Sequence, residues 1–140
     1  MPTRITNASA IDACNAIADK LDQGPAAGYY EIRTGSQPAG ADLAATGTLL
    51  VTITLQDPAY GSASDANPGG RASIQGTPSA SASAAGTAGW FRGYSSTGTS
   101  IIDGSCGAAG SGADMELDNV SIANGQTVTI TTSSITMPEA

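Results

Sequence analysis

The chain has 140 residues, of which 5 are basic, 12 are acidic and none is histidine. This is the length of one domain, and the net charge of −7 argues against electrostatic binding to nucleic acid, which requires cations to displace phosphate counterions. Because histidine is missing, the chain lacks the commonest general base and the commonest zinc ligand. The sequence has no run of about 18 apolar residues that could span a membrane, and its start lacks the apolar core of a secretion signal.

The first predicted element is an amphipathic helix over residues 7–23. Asn7 is the expected N-cap, because its side-chain oxygen can accept a free N–H of the first turn. Gly24 and Pro25 are expected to end the helix. The predicted buried face consists of Ile11, Cys14, Ala18 and Leu21, with Ile17 beside them.

After the helix the apolar period changes to 2, which indicates strands. Strands are predicted over residues 29–33, 48–56, 72–75, 86–94, 100–103, 114–118 and 126–137. In the last of these, Val128 and Ile130 differ in parity from Ile135, so a bulge is expected near residues 133–134. Asn124-Gly125 is a strong hairpin-turn signal just before it.

Residues 61–89 form a low-complexity segment of small and polar side chains. One interpretation is a flexible linker or loop. The favoured alternative is a weak edge strand over 72–75 within an extended segment that lies on a neighbouring molecule, since structureless loops of this length are uncommon in compact domains.

The pattern predicts a single domain over 1–140, mainly β, with the helix at its N-terminus and a β-rich part over 28–138. The expected fold is an antiparallel β-sandwich or open barrel of about seven strands. Leu, Ile, Val and Phe contribute only 21 residues, whereas Gly, Ala, Ser and Thr contribute 75. The predicted core is therefore thin, and we expect neighbouring copies of the chain to supply part of the stability.

Three carboxylates, those of Asp114, Glu116 and Asp118, alternate along one predicted strand. They could contribute to a calcium site or to an acid–base pair that cleaves glycosides. Same-face neighbours on a strand are about 6.6 to 7 Å apart, which is too far to hold one ion unaided. The favoured interpretation is a solvated face, so no metal and no cofactor is predicted.

The two cysteines leave several states open. Cys14 lies on the apolar face of the helix, and Cys106 lies in a predicted glycine-rich loop over 104–112. They could form a disulfide within the chain, a bond between chains, or remain thiols in a reducing cytosol. Catalysis by cysteine is not expected without a histidine base, and the loop lacks the lysine of a phosphate-binding loop.

The aromatic residues of the predicted strand 86–94 also allow two interpretations. Trp90 and Tyr94 share one parity and could form a stacking platform for a carbohydrate. The favoured alternative is that Trp90 and Phe91 anchor the core.

An ordered set of short segments resembles a family of small structural proteins of tailed bacteriophages, encoded beside the head and tail genes. The segments are 30–38, 45–50, 57–61, 86–92, 102–105, 111–115 and 124–130. This resemblance covers nearly the whole chain and implies a β-rich virion component without enzymatic activity. Cys106 departs from the small aliphatic residue usual at its position in that family, which leaves the use of cysteine cross-links open.

The resemblance and the composition together lead to one expected function. The chain is expected to be a capsid decoration (cement) protein bound in many copies on the head surface, with a neck, collar or tail-surface protein and a carbohydrate-binding module as alternatives. The expected partners are the major capsid protein, or neck and tail proteins, and copies of the chain itself, but neither nucleic acid nor membrane. It would be made in the host bacterial cytoplasm and end in the virion, where the helix and residues 61–89 would reach neighbours.

Overall fold

The computed structural model describes residues 3–66 and 69–137 and is mainly β, with one N-terminal helix, as predicted. The elements are α1 (Asn7–Leu21), β1 (Tyr29–Thr34), β2 (Leu49–Thr54), β3 (Ser64–Asp65), β4 (Gly70–Ser73), β5 (Ser79–Ser81), β6 (Gly86–Tyr94), β7 (Ser100–Ala108), β8 (Met115–Leu117), β9 (Ser121–Ile122) and β10 (Thr127–Met137). Residue 138, where the predicted β-rich part ends, lies outside the described residues.

The strands form one curled, open sheet. Their order is β2-β1-β6-β7-β8-β10-β4-β3, with β5 also paired to β10 and β9 to β6. Ser83 N donates to Leu50 O at 2.8 Å, so the chain just after β5 meets the outer edge of β2. The curled sheet encloses the apolar core together with α1, and this agrees with the predicted open barrel.

The low-complexity segment is part of this sheet. Residues 64–65, 70–73 and 79–81 are β3, β4 and β5, and both β4 and β5 pair with β10. The strand expected over 72–75 is therefore present slightly earlier, and the alternative of a flexible linker is wrong. Small side chains suit these positions because Ala72 and Ala82 are buried against the core.

The helix begins and ends differently from the prediction. Thr6, not Asn7, is the N-cap and accepts from Ser9 N at 3.1 Å. The helix ends at Leu21 with Asp22 as the C-cap, two residues before the predicted end. The predicted face is buried at Cys14, Ala18 and Leu21, whereas the two isoleucines, Ile11 and Ile17, are only partly buried.

Polar side chains of the helix region fix the chain that follows β2. Asn7 Oδ1 accepts from Gly69 N at 2.9 Å, and Asn15 Oδ1 accepts from Ala63 N at 2.7 Å. Asp22 Oδ1 accepts from Ala59 N at 2.8 Å, and burial raises the pKa of this carboxyl. These bonds satisfy backbone groups that face the helix rather than a neighbouring strand.

The sheet is not wholly antiparallel, because β7 and β8 pair in parallel. The predicted glycine-rich loop over 104–112 is wrong at its start, since residues 104–108 continue β7 and place Cys106 on a strand. A parallel pair normally needs a crossover of a dozen or more residues. Here only three residue pairs form, so the six residues between the strands suffice to bring the chain back.

The last strand carries its bulge earlier than predicted. The pairing of β10 with β8 shifts between Ile130 and Thr132, not at residues 133–134. The shift turns Ser133 and Ile135 toward the core. The turn at Asn124-Gly125 is present, but it does not join a hairpin, because β9 pairs with β6 and β10 pairs with other strands.

Glycines make room for two core aromatic rings. Tyr30 on β1 is opposite Gly93 on β6, and Phe91 on β6 is opposite Gly104 on β7. A Cβ atom at either glycine would lie 2.5 Å from a carbon of the facing ring. A thin core is thus filled by aromatic rings that lie over glycine backbone, and Phe91 is a core residue as predicted.

Candidate functional site

The most unusual chemistry of the molecule lies on the outer face of β6 and β7. Arg92 Nε donates to Asp103 Oδ1 at 2.6 Å, and Arg92 Nη2 donates to Asp103 Oδ2 at 2.8 Å. The two side chains are only 4% and 5% exposed. The hydrogen bonds to the carboxylate raise the pKa of Arg92, so the guanidinium stays charged in its buried position.

Residues 35–48 connect β1 to β2 and cover this ion pair; we call them the covering loop. Arg92 Nη1 donates to Leu43 O at 2.6 Å, and Ser100 Oγ donates to Ala41 O at 3.2 Å. At the base of the loop Thr34 N donates to Thr48 O at 3.1 Å. The loop is therefore bonded to the sheet at its base and near its tip.

Trp90 lies beside the ion pair on the same outer face. Its ring centroid is 5.4 Å from the guanidinium carbon of Arg92, and its side chain is fully buried, with no partner for Nε1 among the described residues. Trp90 was predicted to anchor the core together with Phe91; it is fully buried, but it does not belong to the main core that contains Phe91. The alternative prediction, in which the Trp90 ring forms part of a carbohydrate-binding platform, is wrong because the ring has no exposed face.

Two tyrosines on β1 and β6 extend this outer face. Tyr29 and Tyr94 stack with ring centroids 5.1 Å apart, and both are partly exposed. Burial and the nearby charge of Glu31 raise the pKa of Tyr94. Glu31 is in turn paired with Arg33, whose Nη2 donates to Glu31 Oε1 at 3.0 Å. The face thus combines aromatic rings with two ion pairs, but Tyr94 is the only member of the predicted platform that solvent reaches.

The three carboxylates of the predicted strand accept hydrogen bonds from backbone N–H groups. Asp114 Oδ2 accepts from Ser105 N at 2.9 Å, and Asp118 Oδ1 accepts from Thr129 N at 3.0 Å. Glu116 accepts from Gly110 N and Gly112 N, and these hydrogen bonds lower its pKa. Within residues 3–66 and 69–137 no group of three acidic or cysteine side chains is arranged to hold a metal ion.

The cysteines are separate thiols. Cys14 is buried and donates from Sγ to Ile135 O at 3.1 Å, and burial raises its pKa. Cys106 is partly buried beside Met115, and burial raises its pKa to about 12. The disulfide between the two within one chain is therefore not formed, and both are poor nucleophiles near neutral pH because the thiolate is the reactive form.

A groove of about 240 Å³ lies on β4 and β10, far from the covering loop in the strand order. Its lining includes Arg71, Ser73 and Ile74 and residues 131–134 of β10. We call this surface, which is lined by serine and threonine residues, one arginine and one isoleucine, the β4–β10 groove.

Sequence patterns did not reveal the pair of Arg92 and Asp103. The only available signal was the predicted hairpin of 86–94 and 100–103, in which opposite charges can pair across strands. The role of the covering loop had no sequence signal, since its residues are mostly small and show no apolar period.

Comparison of the chain with protein-family models, with curated proteins and with solved structures gave no match. The helix of the described residues has neither the length nor the hydropathy needed to cross a membrane.

Proposed function

We propose that the chain is a non-enzymatic structural protein of a tailed-bacteriophage virion, and specifically a capsid decoration protein bound in many copies on the head surface. Its partners are the major capsid protein and other copies of the chain. The ordered segments that resemble phage structural proteins support this proposal, as does the prevalence of small side chains.

The observation that carries the proposal is the anchored covering loop. A buried ion pair is costly to desolvate, and here it holds a surface loop through Leu43 O instead of facing a cavity. The side chain of Leu43 is 53% exposed. A loop fixed in one conformation loses little entropy when it docks, so it is suited to protein–protein contact.

A large number of copies on one particle would strengthen the overall attachment, although each single contact is weak. Many equal, modest contacts on one particle multiply through effective concentration. The net charge of −7 also favours a surface role, because like-charged particles stay apart in solution.

The proposal is tested on purified particles of the phage that encodes the chain. Quantitative gel densitometry is expected to give a copy number comparable to that of the major capsid protein, and imaging is expected to locate the chain on the head. A small copy number with density at the neck or tail would favour the alternative of a neck, collar or tail-surface protein. Absence of the chain from purified particles would overturn both.

A further inference from the structure

On the basis of the virion role proposed above, we propose that copies of this chain associate head to tail. The tip of the covering loop of one copy, with Asp42 and Leu43, seats in the β4–β10 groove of the next. The occupant of the groove is thus a second copy of the chain.

The projecting part of this contact is Leu43. A single exposed leucine is ordinary on a protein surface. Leu43 differs because its backbone is held on both sides: its N–H donates to Gly40 O at 3.1 Å, and its carbonyl accepts from the buried Arg92 at 2.6 Å. Its side chain is 53% exposed, against 36% for Ile5, the other large apolar residue exposed among those described. The side chain is therefore presented by a fixed backbone.

The receiving part is the β4–β10 groove. Ile74, partly buried against the core, lines it together with Ser73 and Ser134, whereas the hydroxyl groups of Thr131, Thr132 and Ser133 already form hydrogen bonds within the chain. Arg71 lies at the groove and donates from Nε to Thr136 Oγ1 at 3.3 Å. Neither ion pair found in the described residues includes Arg71, so its remaining N–H groups can bind a carboxylate.

Charge complementarity identifies a second copy as the occupant. Two copies that each carry a net charge of −7 repel, so a local meeting of opposite charges favours their association. Asp42 is exposed next to Leu43 in sequence, and Arg71 lines the groove that also contains Ile74. An acid beside an apolar side chain in one copy would thus meet a base beside an apolar wall in the other.

The positions of the two surfaces decide the kind of assembly. The covering loop is bonded to β6 and β7, whereas the groove lies on β4 and β10 near the other end of the strand order. A contact between two different surfaces is heterologous, and repetition of it generates a ring or an extended array.

The test is sedimentation analysis of the purified full chain over a series of concentrations. We expect the mass to rise with concentration, and Leu43→Ser to abolish the rise. Ile5→Ser is the matched control and should leave association unchanged. A wild-type chain that stays monomeric up to its solubility limit would overturn the proposal, as would equal effects of the two serine variants.

A charge exchange tests the pairing itself. Asp42→Arg and Arg71→Asp should each weaken association by about tenfold, and the double variant should recover most of the loss. Far-ultraviolet circular dichroism checks that every variant is folded. A double variant no better than either single variant would overturn the pairing of these two residues.

These outcomes are separate from those of the virion role. A monomeric chain that is nevertheless found on particles would remove the contact between copies and leave the virion role. A chain that associates in solution but is absent from particles would leave the contact between copies and remove the virion role.

Discussion

Arg92 and Asp103 face each other across β6 and β7 and are joined by two hydrogen bonds, of 2.6 and 2.8 Å, beneath the covering loop. The pair is almost completely buried although it lies on the face of the sheet that is turned away from the core. The remaining Nη1 of Arg92 bonds Leu43 O, so one guanidinium links two strands to a loop.

Removal of the acid should show how strongly the fold depends on this pair. Asp103→Asn leaves the guanidinium buried without a counter-charge, and we expect the free energy of unfolding to fall by about 3 kcal/mol in urea denaturation. Asp12→Asn removes one charge from an exposed helix position and should change stability by less than about 0.5 kcal/mol. Equal effects of the two variants would contradict a structural role for the pair.

Trp90 is the only tryptophan, so its environment can be measured directly. Its indole is fully buried, and we expect acrylamide not to quench its fluorescence until the chain unfolds. Trp90→Ala should cost about 3 to 5 kcal/mol, because it leaves a cavity at a fully buried position. Trp90→Phe should cost less, since it keeps a ring and removes the unpartnered Nε1 group. Ready quenching in the native state would show that the ring is accessible.

Two glycines, Gly89 on β6 and Gly40 within the covering loop, should respond in opposite ways to alanine. A Cβ atom at Gly89 would lie 1.9 Å from Gly35 O, so Gly89→Ala must push β6 and the loop apart and lower the melting temperature. At Gly40 nothing lies within 4 Å of such an atom, and its φ is not in the left-handed region. Gly40→Ala is therefore expected to be neutral or slightly stabilising, because it restricts the unfolded chain. A similar melting temperature for both variants would contradict the close approach at Gly89.

Glu116 should make stability depend on pH in the acid range. Its pKa is lowered in the folded state by the N–H groups of Gly110 and Gly112. The stabilisation from this carboxylate is therefore present above the ordinary glutamate pKa and is lost as the pH falls through the lowered folded-state value. Thermal unfolding measured from neutral to acid pH should show a shallower decline for Glu116→Gln than for the wild type. Asp12→Asn is the control, and an unchanged slope in Glu116→Gln would refute the assignment.

The sequence alone determined the local elements where period and breaker residues agree. The apolar period of 3.6 identified the helix, and the period of 2 identified β1, β2 and β6 within a residue or two of their bounds. Parity did not decide between Trp90 and Phe91, which were both predicted to anchor the core, and only Phe91 belongs to the main core. These features depend on interactions between residues close in the chain, which sequence patterns report.

Only the tertiary structure decided which strands pair and what the small residues do. Within the segment 61–89, β4 and β5 form because β10 supplies partners for their backbone, and the helix accepts from Ala63 N; no local pattern contains those partners. For β8 to pair in parallel with β7, the chain must turn back over a few residues. The glycine-rich stretch permits this turn, but its sequence does not predict it. The burial of Arg92 depends on the covering loop, which accepts its hydrogen bond through Leu43 O only after β1, β6 and β7 have assembled. In each case the feature depends on contacts between residues far apart in the chain. Such contacts are made by backbone groups, which every sequence has, and by complementary shapes that form only in the folded chain.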